Sequence, residues 1–177
     1  MAKGRGGAYP ILFLTLVVLV SIVALTLIDG ITRERIAEAQ RQEIQEMLAT
    51  LFPEMDGYSV DENSGVYTIL VGGSPVGQAV MAQATGYGGA IDILIGLEPD
   101  QRLRGIRVIS QSETPGLGAK IVEAGFLEQF AGMTLGDLAL RKNGGSVDAI
   151  TGATISTSAV IDGVRRGILE LSTEGGG

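Results

Sequence analysis

Residues 11–28 read ILFLTLVVLVSIVALTLI, an uninterrupted apolar run without a single charge. A segment of that kind has to be kept from water, and its length says where. Eighteen residues wound as an α-helix rise about 27 Å, close to the hydrocarbon thickness of a bilayer. Tyr9 and Pro10 stand just before the run, where an interfacial aromatic and a helix-starting proline belong. A cleaved signal peptide would carry a shorter apolar stretch followed by a small-x-small site, and no such site follows. The expectation is therefore an N-terminal tail at 1–10 and a retained single-pass transmembrane helix at 11–28. Orientation does not follow from charge: Lys3 and Arg5 precede the span, but Arg33 and Arg35 follow it closely.

Beyond the run, Ile36, Ala39, Ile44, Met47, Leu48 and Leu51 recur at helical spacing with charges between them. This is the pattern of an amphipathic helix, expected as a stalk at 29–52 and stopped by Pro53. From 53 to 177 about 125 residues remain, enough for one independent core. Strands are expected at 66–71, 76–83, 90–97 and 103–110, with a shorter one at 147–150. In the third, Ile91, Ile93, Ile95 and Leu97 alternate with Asp92 and Gly96, as in a half-buried strand. Glu98-Pro99-Asp100-Gln101 places proline second in a turn, so the third and fourth strands should form an antiparallel hairpin. Ala159, Val160, Val164, Ile168 and Leu171 fit a closing helix with Arg165 and Arg166 on its wet face. The expected fold class is α+β: mainly antiparallel strands flanked by helices, behind a transmembrane helix.

Composition narrows the chemistry. The chain of 177 residues has no cysteine and no histidine, and its net charge is −7. Without cysteine there are no disulfides, thiolate zinc sites or Cys-ligated iron–sulfur clusters. Without histidine the commonest general base and haem ligand are gone. The acidic balance argues against nucleic acid, whose phosphates reward clustered Lys and Arg. Any redox chemistry must come from an organic cofactor.

Three segments can bear chemistry. Gly86-Tyr87-Gly88-Gly89 surrounds one aromatic with glycines, which suits either a planar ligand or a plain β-turn. Glu113-Thr114-Pro115-Gly116-Leu117-Gly118 offers backbone N–H groups, two polar side chains and one apolar side chain. That is what the edge and face of a flavin ring require, and equally what a tight connection into a short helix from Lys120 would contain. Asp148-Ala149-Ile150-Thr151-Gly152-Ala153-Thr154 runs directly into the closing helix. Thr151, Thr154 or Ser156 could serve simply as a helix cap. The same place suits a phosphate, because unpaired N–H groups and the helix dipole stabilise negative charge there.

Thr151-Gly152-Ala153-Thr154 resembles the S/T-G-A-T flavinylation motif of the FMN-binding-domain family. The resemblance implies FMN joined through its phosphate to Thr154, with Thr151, Gly152 and Ala153 around the phosphate. It implies a flavin transferase, using FAD and Mg²⁺, that reads Asp148. The segment at 113–118 is similar to the family's isoalloxazine pocket, which implies Glu113, Thr114, Gly116 and Leu117 as ring or ribityl neighbours. Lys142 stands ahead of the motif like a lysine near the flavin in the C subunit of the sodium-pumping quinone reductase. The Gly-Tyr-Gly-Gly-x-Ile segment, with Tyr87, matches as well. Together with an N-terminal anchor, the order of these motifs resembles the G subunits of Rnf-type complexes. That implies an electron-relay flavoprotein working with the other Rnf subunits, in ferredoxin/NAD electron transfer coupled to Na⁺ or H⁺ transport. It also implies a cytoplasmic N-terminus and a flavin domain on the outer face of the cytoplasmic membrane. The alternatives are a quinone-reductase C subunit, which is usually longer, and a non-catalytic anchored assembly or adhesion module.

Overall fold

The computed structural model describes the backbone of residues 8–61 and 63–174 and the side chains of 11–22, 42–61 and 63–172. It divides into two compact units, Met1–Gln45 and Glu46–Gly177. Helix α1 spans Ala8–Leu51. Within the first unit the apolar side chains described from Ile11 to Ile22 are exposed. Among the described residues no helix is long and apolar enough to cross a membrane. The side chains of 23–28, the rest of the expected span, lie outside the described residues.

The second unit is built on a five-stranded antiparallel meander in the order β1-β2-β3-β4-β5. Its strands are β1 (Gly57–Asp61), β2 (Val66–Val71), β3 (Ser74–Thr85), β4 (Ala90–Leu97) and β5 (Leu103–Gln111). The strands expected at 66–71 and 90–97 are found with those bounds, and the other two of that set extend slightly further. The expected hairpin between β4 and β5 forms, closed by Gln101 N–H donating to the Glu98 carbonyl at 3.0 Å. The strand expected at 147–150 does not form. Val147 makes one parallel bridge to Leu140, because the chain turns away to enter the final helix. β1 adds an edge strand that the pattern GYSVD does not announce. It owes its conformation to pairing with β2, Gly57 opposite Leu70 through Asp61 opposite Val66.

β4 is not half-buried as its alternation suggests: Leu94 is buried as well, because the sheet is covered on both faces. Ile91, Ile93, Ile95 and Leu97 are buried among Val160, Val164 and Ile168 of the last helix, α3 (Thr154–Glu174). Gly96 faces the other way and lets the Phe52 ring close in. Leu48 and Phe52 are almost wholly buried there, so the last turn of α1 belongs to the core of this unit. Arg104 fastens that turn: its guanidinium lies 5.7 Å from the Phe52 ring centroid, donates to the Leu51 carbonyl and pairs with Glu54. Between β5 and α3 the chain makes 3-10 turns at Gly118–Val122, Glu128–Phe130 and Arg141–Asn143 around a short helix α2 (Ala124–Leu127). Ile121, Phe126, Phe130 and Leu138 from this stretch complete the core.

Candidate functional site

A cleft of about 610 Å³ opens where three connections meet at the N-terminus of α3. Its walls come from the β3–β4 turn (Tyr87), the loop after β5 (Glu113, Thr114, Leu117, Gly118) and the start of α3 (Gly152, Ala153, Thr154, Ile155, Ser156). The volume lies in the range of small-molecule sites, about 300–1,000 Å³.

Each wall has a local cause. The β3–β4 turn is closed by Gly86 N–H donating to the Gly89 carbonyl at 2.8 Å, and it leaves Tyr87 73% exposed. In the next wall, Leu117 N–H donates to the Thr114 carbonyl at 3.2 Å. Proline second and glycine third, with Gly116 at φ 78°, fit a type II turn. That turn carries Leu117, 47% exposed, to the cleft. In the third wall, Ala153 N–H donates to the Ile150 carbonyl at 2.9 Å, with Gly152 third in the turn at φ 80°. A Cβ on Gly152 would stand 3.0 Å from Leu117 Cδ2, so the second and third walls touch.

Glu113 ties all three together. Its side chain is buried, Oε1 accepts the Gly88 N–H at 2.9 Å, and Oε2 accepts the Ser156 hydroxyl. Glycine at 86 and 118 makes room for the carboxylate, because a Cβ at either would run into its oxygens. Ser156 therefore bonds Glu113 rather than capping the helix.

The first turn of α3 is bare. Thr157 N–H is the first to find a carbonyl, that of Ala153. Among the described residues the N–H groups of Thr154, Ile155 and Ser156 have no acceptor, and the exposed Thr154 hydroxyl has no partner. Three free donors and the positive end of a helix of 21 residues favour an anion there. Exposed apolar side chains of Tyr87, Leu117 and Ile155 stand around the same space, as a planar ring needs.

Of the residues singled out in the sequence, the cleft brings together Tyr87, Glu113, Thr114, Leu117, Gly152, Ala153 and Thr154. Gly116 and Thr151 shape the two turns beside it without lining it. Lys142 sits exposed in the 3-10 turn Arg141–Asn143, outside the lining. Asp148 is exposed and paired to Arg141 through both oxygens, at 2.7 and 3.0 Å. The Arg141 hydrogen bond holds its carboxyl below the usual aspartate range. Sequence reasoning missed Ile155 as a lining residue and took Ser156 only as a possible helix cap. An apolar residue just inside the helix start was the one available signal for Ile155.

Comparison with known proteins points to the same segment. The FMN-binding domain family matches residues 86–169, which contain all the cleft residues. The G subunit of the ion-translocating oxidoreductase complex of Methanosarcina acetivorans is 36% identical over 148 residues, covering 79% of each chain. The G subunit of the proton-translocating ferredoxin:NAD(+) oxidoreductase complex of Clostridium ljungdahlii is 30% identical over 93% of this chain and 91% of its own. The crystal structure of the C subunit of the Na(+)-translocating NADH-quinone reductase from Parabacteroides distasonis is similar in fold, with a TM-score of 0.52 at 24% identity. The match covers 60% of each of the two chains.

Proposed function

The chain belongs to the family of G subunits of ion-translocating oxidoreductase complexes, and from that premise we propose that it relays electrons through FMN carried covalently on Thr154. The observation that carries this reading is the bare N-terminus of α3. There an unpartnered threonine hydroxyl and three unpartnered amides share a cleft with exposed apolar side chains.

The residues fit the group. The amides of Thr154, Ile155 and Ser156 would hold the phosphate, so no cluster of arginines is required. Tyr87, Leu117 and Ile155 would cover the ring faces, and Thr114 would meet its polar edge. Glu113 would hold the walls in register through Gly88 and Ser156. When bound, FMN supplies the electron-accepting and electron-donating centre, which accounts for redox work in a chain without Cys or His. Thr154 Oγ1 would form the phosphoester as a flavin transferase, with Mg²⁺, cleaves the phosphoanhydride of FAD. AMP leaves, and the hydroxyl proton is released.

The partners are the other members of the complex, by analogy with relatives whose names state ion translocation and ferredoxin:NAD⁺ oxidoreduction. The apolar run at 11–28 would anchor the chain in the cytoplasmic membrane with its N-terminus inside and the flavin domain outside. The coupled ion is Na⁺ or H⁺.

The test is peptide mass spectrometry of the protein coexpressed with a flavin transferase, for wild type, Thr154→Val and Thr151→Ser. The adduct is expected on Thr154 in wild type and Thr151→Ser, and on no residue in Thr154→Val. An adduct mapped to Thr151 or Ser156, or a wild type that stays colourless, overturns the reading.

A further inference from the structure

Two exposed threonines, Thr151 and Thr154, lie three positions apart with free hydroxyls, and something must distinguish them. A third threonine stands beside both. Thr157 is fully buried one turn into α3. Its Oγ1 donates to the Ala153 carbonyl at 3.0 Å and accepts the Ile150 N–H at 3.2 Å. Its own N–H donates to the same Ala153 carbonyl at 3.0 Å. Ile150 and Ala153 are the first and last residues of the turn that contains Thr151 and Gly152. One hydroxyl therefore grips both ends of that turn, from inside the helix that the turn leads into.

We propose that Thr157 is a positioning residue for flavin loading: its buried hydroxyl locks the Ile150–Ala153 turn so that Thr154, and not Thr151, is presented at the cleft as acceptor. This inference rests on the reading that Thr154 carries FMN. The geometry supports it from both sides. With the turn locked, Thr154 is the first residue of α3 and lines the cleft, whereas Thr151 occupies the outer corner and does not. A buried hydroxyl with both its donor and an acceptor position engaged is a more rigid clamp than an apolar contact. It fixes direction as well as distance.

Thr157→Val keeps the shape and removes both hydroxyl bonds, while Thr157→Ser keeps the hydroxyl. Val164→Ala, in the core away from the cleft, controls for lost stability alone. Full-length variants are loaded with purified flavin transferase, FAD and Mg²⁺ below their melting midpoints, and both the rate and the modified residue are read by mass spectrometry. The expected result is a loss of about tenfold in kcat/KM for loading of Thr157→Val, in line with two lost hydrogen bonds. Thr157→Ser and Val164→Ala should stay within about threefold of wild type, since neither loses those bonds. A folded Thr157→Val loaded at the wild-type rate overturns the proposal. If Thr157→Val does not fold, amide exchange decides between wild type and Thr157→Ser. Thr157→Ser must keep both the Ile150 protection and the loading rate, and keeping the rate without the protection overturns the clamp. A wild type that carries no adduct on Thr154 defeats the functional reading itself, which is a different result from any of these.

Discussion

Ser156 donates its hydroxyl to the Glu113 carboxylate across 43 residues of sequence, and both side chains are buried. The bond joins the helix that begins at the cleft to the loop that forms the neighbouring wall. The other carboxylate oxygen holds the Gly88 amide of the remaining wall, the β3–β4 turn. The cleft thus has its shape because one buried acidic side chain has two donors.

A double-mutant cycle on Glu113→Ala and Ser156→Ala should therefore be strongly non-additive. Hydrogen bonds to charged groups contribute about 1.5–3 kcal/mol, and a coupling energy of that order is expected from urea denaturation of the four proteins. Additive single-mutant effects would mean the two groups do not act together.

Local packing predicts opposite responses at two helical glycines, Gly167 in α3 and Gly125 in α2. A Cβ on Gly167 would lie 2.6 Å from Ile95 Cδ1 and 3.2 Å from the Ala82 Cβ. Gly167→Ala should destabilise by about 1–3 kcal/mol despite the better helix propensity of alanine. Around Gly125 nothing lies within 4 Å, so Gly125→Ala should stabilise by about 0.4–1 kcal/mol by restricting the unfolded chain. Thermal melts of the two variants check both signs at once.

Substitutions in the 113–118 loop should change the flavin and leave its bond intact. Thr114→Val removes a hydroxyl lining the cleft. A hydrogen bond of about 0.5–1.5 kcal/mol, made unequally to the two redox states, shifts a one-electron potential by about a few tens of millivolts. Leu117→Ala should open one face to water and speed reoxidation. Spectroelectrochemical titration of flavinylated wild type and both variants reads these effects, with the full adduct mass retained. Identical potentials and reoxidation rates in all three would make the loop a mere connection.

Acid should weaken the fold through particular aspartates. Asp92 is held below the usual range by hydrogen bonds from Ser110 and Gln83, and Asp137 by those from the Thr134 amide and hydroxyl. A carboxyl lowered in the folded state stabilises it fully above the unfolded aspartate value of about 3.9. That contribution is lost as pH falls through the lower folded value. The melting midpoint should be insensitive to these groups from pH 7 to about 5 and should drop below about 4. Asp92→Asn with Asp137→Asn should flatten that drop, measured by thermal melts across the acid range.

The sequence alone determined whatever depends on near neighbours. Ile91, Ile93, Ile95 and Leu97 at every second position specify a strand with one continuous apolar face, and Pro99 in the following turn specifies the hairpin. Thr151-Gly152-Ala153-Thr154 before a helical pattern marks a place where amides go unpaired, because four N–H groups are orphaned at any helix start. Tertiary structure decided what depends on partners far along the chain. β1 exists because β2 supplies its hydrogen bonds, and Leu48 with Phe52 joins the core because Gly77 and Gly96 leave space for the ring. Lys142 and Glu113 show the same division at the site. Both are charged residues near a motif, yet one remains exposed in a turn while the other is buried between Gly88 and Ser156. Burial and bonding between residues 43 positions apart leave no periodic trace in a sequence, since they arise only when the sheet has brought the loops to one end of α3.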